Sequence, residues 1–119
     1  MFALLAVGCA AEVQYVPMLA APRQLYVRAP AQVEVFVVTP PPRPHVDIGM
    51  LNLAWAGSEG ETVQQMMNLV RAAAGQQGCD ALLVTRVAVR AVGFSSPGSI
   101  EGSCEVYTDL PPTTASAHP

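Results

Sequence analysis

Three cysteines and one histidine–aspartate pair are the residues in this sequence whose types and spacing could do chemistry. Cys9 follows the apolar and small residues "LLAVG", whereas Cys79 and Cys104 lie in the second half of the chain. His45 and Asp47 are two residues apart, so on a strand they would share a face and offer two ligands to a metal. A cysteine can carry a lipid, bind a metal or form a disulfide, and each role requires a different setting.

The residues before Cys9 are typical of the end of a bacterial lipoprotein signal, in which small side chains precede a cysteine that receives diacylglycerol. No positive charge opens the chain, so residues 1–8 are interpreted as a partial signal peptide that begins upstream. Ala10 rather than an aspartate follows the cysteine, and by resemblance to the enterobacterial sorting rule this favours the outer membrane, on its periplasmic side. The alternative is that Cys9 is an incidental or buried thiol.

Composition restricts both the size of the fold and its partners. The chain has 119 residues, enough for one domain, and 51% of them are apolar while 13% are charged. The net charge is −3, and the basic residues are scattered arginines that form no stripe suited to a phosphate backbone. We therefore expect no nucleic-acid partner, and no motif indicates a cofactor.

Prolines divide the chain into regions. Pro17, Pro22 and Pro30 interrupt the segment after Cys9, which predicts a lipidated cysteine and a proline-rich tether over residues 9–31. Residues 32–110 alternate between strand and helix patterns and form the predicted domain. Residues 111–119, "PPTTASAHP", are predicted to be a disordered tail.

The domain pattern predicts an α+β fold (a two-layer α/β arrangement) with about four strands in a small mixed sheet and one helix on one face. Strands are predicted over 32–38, 45–55, from Cys79 onward, and over 103–109, with a loop over 93–102. Ser58 and Glu61 fit a capping box before the helix, and Gly78 fits its stop. We expect the two strands that flank the helix to run parallel and the last strand to fold back as a hairpin. The apolar stripe of the helix consists of Val63, Met66, Met67, Val70, Ala73 and Ala74.

If Cys9 carries lipid, Cys79 and Cys104 are left as an even pair in an oxidising compartment, which favours a disulfide. A plain hairpin that turns near Pro97 would instead place Cys79 opposite residues just after Leu110, too far for a bond. The disulfide therefore requires a shifted register or bent strands. Two buried free thiols are the alternative.

The remaining residues that could take part in chemistry do not form a pattern typical of an active site. His45 and Asp47 are weak metal candidates, since no third ligand has a recognisable spacing and a solvated strand edge explains them better. No glycine-flanked serine and no activating histidine are found, and His118 falls in the tail. Trp55 and Tyr107 are either contact residues or packing residues.

The stretches "RPHVDIGML", "LVRAAAGQQGCDALLV" and "GSCEVYTD" resemble the small envelope lipoproteins common in myxobacteria, over roughly residues 33–109. More distantly, the pattern is similar to the outer-membrane stress-sensor lipoprotein of the Rcs system and to a cytosolic family labelled as heavy-metal binding. The resemblance implies a fold and carries no catalytic residue.

These observations predict a membrane-anchored envelope lipoprotein that is not an enzyme and has no cofactor. Its domain would act as a scaffold, a sensor or a module that binds another envelope protein. The alternative is a small-ligand or metal-binding module that uses His45 and Asp47.

Overall fold

A five-stranded mixed sheet with one helix across one face forms the fold, in a computed structural model that describes residues 12–57, 60–90 and 96–109. The predicted α+β class is confirmed, with five strands where about four were expected. The elements are β1 (Gln14–Pro17), β2 (Glu34–Val37), β3 (His45–Trp55), α1 (Val63–Gln76), β4 (Ala81–Val89) and β5 (Gly98–Tyr107).

The strand order is β1-β3-β5-β4-β2, so the last strand in the sequence lies at the centre of the sheet. β5 is antiparallel to both β3 and β4, which confirms the hairpin at the C-terminal end. It also means that β3 and β4, which flank the helix, run parallel as predicted but do not touch. The parallel pair that does form is β2 with β4.

The additional strand comes from the segment predicted to be a tether. β1 pairs antiparallel with β3, from Gln14 opposite Asn52 to Pro17 opposite Gly49. The following residues also contact the domain: the Arg28 N–H donates to the carbonyl of Gly75 at 2.8 Å. Gly75 permits this approach because a Cβ there would meet the Arg28 carbonyl oxygen. The folded part of the chain therefore extends toward the N-terminus beyond residue 32, while residues 1–8, Cys9 and the tail lie outside the described residues.

The helix packs on the sheet through Met66, Val70 and Ala74, the inner members of the predicted stripe. Its capping box is formed by Thr62 and Gln65, one turn later than the predicted Ser58 and Glu61, because the Thr62 hydroxyl accepts the Gln65 N–H at 3.1 Å. Ser58 is outside the described residues. The end of the helix agrees with prediction, since Gly78 has a φ of 80° just past Gln77.

The loop predicted over 93–102 is shorter than expected, because β5 begins at Gly98. Pro97 closes the hairpin rather than forming its turn: its carbonyl accepts the Arg90 N–H at 2.9 Å. A register shift between Val84 and Arg86 adds one residue to β4 at that point. The turn therefore lies earlier than a proline-based prediction places it, and the strands pair differently.

Residues 38–44 cross the face of the sheet that lies opposite the helix. β2 and β3 run in the same direction, so this proline-rich connection must return along the sheet and pass over β4 and β5. Across the sheet, the connection must span about three inter-strand spacings of ~4.8 Å, and along the strands it must return by about five residues of ~3.3 Å each; the straight path is the diagonal of these two distances. A polyproline-like chain of this length spans roughly 22–25 Å, close to that diagonal. The prolines thus suit the connection because they hold it extended.

Candidate functional site

The predicted pair His45 and Asp47 lies on β3 beside a buried carboxylate that sequence reasoning missed. Asp47 is opposite Glu105 of β5, and the His45 Nε2 is 3.8 Å from the Glu105 Oε1. The His45 Nδ1 lies 2.6 Å from the carbonyl oxygen of Arg43, so Nδ1 carries the proton and donates it there. The arrangement is a small cluster of titratable side chains beneath the proline-rich crossover.

Glu105 is the most enclosed member of this cluster, with 1% of its surface exposed. Burial raises the pKa of its carboxyl, the nearby Asp47 raises it further, and His45 lowers it. Its Oε1 has no hydrogen-bond partner among the described residues. The sequence around Glu105 does not reveal this burial, which follows from the position of β5 in the middle of the sheet.

The cluster does not form a metal centre in the part of the chain that the structure describes. No three histidine, cysteine, aspartate or glutamate side chains there are placed to hold one ion. A groove of about 340 Å³ lies elsewhere on the domain, lined by Gln14, Asn52, Ser99 and Glu101 among others. His45 and Asp47 do not line it, so the predicted ligand-binding pair and the groove are separate features.

Asp80 is a second buried carboxylate, and its partners come from the N-terminal segment. It is 2% exposed, forms salt bridges with both Arg23 and Arg28, and accepts the Tyr107 N–H at 2.7 Å through Oδ2. The Arg23 Nε also donates to the Tyr107 carbonyl at 3.3 Å. Asp80 therefore joins three distant parts of the chain, and its negative charge is paired with the two arginines of the N-terminal segment.

Tyr107 contacts several residues at the end of the sheet where Asp80 lies. Its hydroxyl hydrogen bonds to the Glu34 carboxylate, and the Arg43 guanidinium lies 3.9 Å from the centre of its ring. Arg43 in turn pairs with Asp109 at 2.8 Å, which lowers the pKa of that carboxyl and raises the pKa of the guanidinium. Burial and Glu34 raise the pKa of the Tyr107 hydroxyl strongly. Tyr107 is thus a packing residue rather than an exposed contact.

Trp55 is also a packing residue. It is buried, and its Nε1 donates to the carbonyl of Ser96 at 2.8 Å, which fastens the end of β3 to the chain entering β5. Met66 lies in the core and Met67 is half-buried beside it. Trp55 and Met66 therefore belong to the core of the domain and are not exposed for contact with a partner.

Cys79 and Cys104 are joined in a disulfide, with Cα atoms 5.4 Å apart and both residues fully buried. The geometric objection assumed that a disulfide must join residues that lie opposite each other in the hairpin. Leu82, and not Cys79, lies opposite Cys104, so the disulfide does not run across the hairpin. Cys79 precedes the strand, where its N–H still bonds to the Ala74 carbonyl at 3.0 Å. It therefore approaches Cys104 from the helix layer instead of from across the hairpin.

Exposed apolar side chains occur in several stretches, including residues 16–19, 26–27 and 37–38, and one further stretch is residues 86–90, which we call the β4 edge. β2 pairs with β4 only as far as Val84, so within the described residues no strand covers the β4 edge. Val87 and Val89 are 43% and 45% exposed there. Arg86 and Arg90 lie on the same stretch and are exposed as well. The β4 edge thus combines exposed valines, exposed arginines and a strand edge that no strand of the described residues covers.

Comparison with known proteins supports the fold alone. No family model matches the sequence, and no curated protein matches it. Among solved structures, the chain is similar to the crystal structure of the Francisella virulence factor FvfA, with a TM-score of 0.56 and 16% sequence identity over 79% of this chain and 97% of that one. The resemblance to envelope lipoproteins stays a prediction.

No helix in the described ranges is long and apolar enough to cross a bilayer.

Proposed function

We propose that this chain is a lipid-anchored protein of the cell envelope, held through Cys9 on the periplasmic side of the outer membrane. Its α+β domain would be a non-enzymatic module that binds a partner protein, as a scaffold or a sensor. The observation that carries the proposal is how the three cysteines divide. Cys79 and Cys104 are paired in the core, which leaves Cys9, the one in a lipobox-like setting, as the remaining thiol.

The disulfide supports an exported location. Disulfides persist in oxidising compartments such as the bacterial periplasm and are rare in the cytosol. In a chain of 12.5 kDa the buried core is small, so a covalent link between the helix layer and β5 contributes a substantial share of the stability. An anchored cysteine with two or more acyl chains would then hold the domain at the membrane durably.

The use of the polar side chains supports binding rather than catalysis. Asp80 is consumed by Arg23, Arg28 and the Tyr107 N–H. The Glu34 and Arg43 side chains are bonded to or stacked on Tyr107. These polar groups therefore bind to one another inside the domain and hold its segments together. The apolar and basic side chains of the β4 edge, in contrast, are exposed.

The test is the intact mass of the native protein purified from membranes. The expected species lacks residues 1–8, carries acyl chains on Cys9 and is lighter by the two hydrogens of the disulfide. The matched control is Cys9→Ser, which should leave the disulfide in place and release the protein from the membrane. A native chain that keeps its first eight residues and has an unmodified Cys9 would overturn the anchor.

The partner-binding role is tested separately by site-specific photocrosslinking in the native envelope. A crosslinker placed at Val87 should capture a defined protein, while one placed at the exposed Gln64 of α1 should not. Equal labelling from both positions would indicate nonspecific contact and would contradict the role.

A further inference from the structure

We propose that the β4 edge binds an extended segment of another protein as an added strand, and that apolar and acidic residues alternate in that segment. This deepens the proposed partner-binding role and rests on it, but it does not depend on the lipid anchor. The juxtaposition behind it is a strand edge that no strand of the described residues covers, with valines on one face and, on the other, arginines that form no salt bridge within those residues.

The backbone of the β4 edge offers the hydrogen bonds that a strand requires. The Arg90 N–H donates to the Pro97 carbonyl, so Arg90, Ala88 and Arg86 direct their backbone groups toward β5. By the alternation of an antiparallel pair, Val87 and Val89 direct theirs away from β5, toward the side where β2 has ended. An added strand can therefore pair with the N–H and C=O groups of two residues.

The side chains of the edge sort into two faces. Val87 and Val89 lie opposite Ile100 and Gly98, on the helix side of the sheet, and Val37 at the end of β2 belongs to the same side. Val37 is 61% exposed and continues the apolar strip. Arg86 and Arg90 lie on the opposite face with Ala88 between them. A segment with one apolar face and one acidic face would match both.

The interactions of the six arginines within the fold indicate which charge the partner should carry. Arg23 and Arg28 bind Asp80, Arg43 binds Asp109, and Arg71 donates to the Val33 carbonyl at 2.9 Å. Arg86 and Arg90 are the two that form no salt bridge within residues 12–57, 60–90 and 96–109. In a protein of net charge −3, two exposed arginines on one face of a strand, with no salt bridge to the described residues, favour an acidic ligand.

The path of the chain leaves room for that ligand. Val38 donates its N–H to the Val84 carbonyl and then turns with a φ of 67°, a left-handed conformation that a β-branched residue rarely adopts. The chain is thereby directed away from β4 just where the β4 edge begins. An incoming strand would occupy the position that a longer β2 would have filled, in the manner of β-strand addition.

A second copy of this chain fits the edge less well. In a symmetric antiparallel pairing centred on Ala88, each Arg86 would face the Arg90 of the other copy. Like charges directly opposite each other in a sheet are destabilising. The arginines therefore disfavour self-association and select a partner of the opposite charge.

The test uses the full chain with Cys9→Ser and a fluorescent peptide, Thr-Glu-Val-Glu-Val-Glu-Thr, measured by anisotropy. A peptide with lysines in place of the glutamates is the charge control, and one with the same composition but unalternated order is the pattern control. We expect the acidic alternating peptide to bind roughly tenfold more tightly than either, as two exposed ion pairs and one apolar face would give.

Matched protein variants separate the edge from general charge. Arg86→Gln with Arg90→Gln should weaken binding roughly tenfold. Gln24→Glu with Gln64→Glu changes the net charge by the same amount at exposed positions elsewhere and should leave binding unchanged. Amide exchange gives a second readout: the peptide should protect the amides of Val87 and Val89 and leave that of Ala88 as it was.

The outcomes are distinguishable. Equal affinity for acidic and basic peptides, binding unaffected by the arginine substitutions, absence of binding, or self-association through the edge would each overturn the proposal. Should the peptide fail while photocrosslinking in the envelope still captures a protein, the partner-binding role stands and only this occupant of the edge is wrong.

Discussion

The two ends of the β4–β5 hairpin use the same kinds of residue in opposite ways. At the end where β4 begins and β5 finishes, arginines, carboxylates and Tyr107 bond to one another and to the backbone. At the other end, beyond Val84, arginines and valines of the β4 edge are exposed, and among the described residues β5 is the one strand that pairs with it. We call these the closed end and the open end of the hairpin.

The difference shows where the fold obtains its stability. Loop closure and chain crossing are concentrated at the closed end, because the N-terminal segment, the proline-rich crossover and the disulfide all converge there. At the open end β3 still pairs with β5 and buries Trp55 and Ile100, but the exposed side chains of the β4 edge are not part of that core, so substitutions of them should disturb it little. A binding surface is best placed where residues are not required for folding.

The largest expected effect is at Asp80 of the closed end. Asp80→Asn preserves the shape of the side chain but leaves Arg23 and Arg28 without their carboxylate, so we expect a loss of about 3 kcal/mol in the free energy of unfolding. Urea denaturation measures this loss, and amide exchange at residue 28 should rise sharply. Asp109→Asn is the control, because it removes an exposed partner of Arg43, and it should change neither quantity measurably.

The disulfide gives the next effect. It closes a loop between residues separated by 25 positions, and constraining such a loop in the unfolded chain contributes about 3 kcal/mol. Reduction, or Cys104→Ala with Cys79→Ala, should lower the unfolding midpoint in urea by a corresponding amount. Equal stability of the oxidised and reduced chains would show that the closed end is held by its ion pairs and packing alone.

Glu105 provides a smaller effect of the opposite sign. Its raised pKa means that the native state retains a proton that the unfolded chain releases, so this contribution to stability is present at low pH and is lost as the pH rises through the raised pKa. Glu105→Gln keeps the shape without the charge. At pH 7 it should raise the free energy of unfolding by about 1 kcal/mol, and the gain should vanish below about pH 4.

Urea denaturation at several pH values between 4 and 8 tests this behaviour. Glu101→Gln on the same strand is the control, because Glu101 is only partly buried, and it should show no such pH dependence. A gain for Glu105→Gln that stays constant across the range would mean that the carboxylate is solvated in the native state.

Much of the fold could be predicted from local patterns. The strand over His45–Trp55 has the bounds that alternation indicates, and the inner residues of α1 follow its apolar stripe. β1 could not be found this way, since its four residues are mostly exposed and end in Pro17. It exists because the edge of β3 is available for pairing, which is a tertiary property that no local pattern records.

The candidate sites show the same limit. The pairing of Cys79 with Cys104 could be suspected from their even number, but the objection from register was wrong because the turn and the added residue near Thr85 lie where no proline marks them. The burial of Glu105 depends on strands that are distant in the sequence, and the partners of Asp80 lie from 27 positions away, at Tyr107, to 57 positions away, at Arg23. Alternation along β4 places Arg86 and Arg90 on one face, but no local pattern shows that β2 ends at Val37 and leaves the β4 edge uncovered among the described residues.

The smallest expected effect lies at the open end, where Val38 is held in a left-handed conformation. Glycine adopts this conformation without strain, and Val38 is 73% exposed, so its side chain contributes little burial. The relief of strain is partly offset by the larger conformational entropy that glycine loses on folding, so Val38→Gly should raise the free energy of unfolding by roughly 0.5 kcal/mol. Val37→Gly is the matched control: Val37 is in the strand, so glycine there relieves no strain and should destabilise the protein. If both substitutions destabilise equally, the chain does not turn left-handed at Val38, and the open end would then lack the sharp exit of β2 that leaves room for a partner strand.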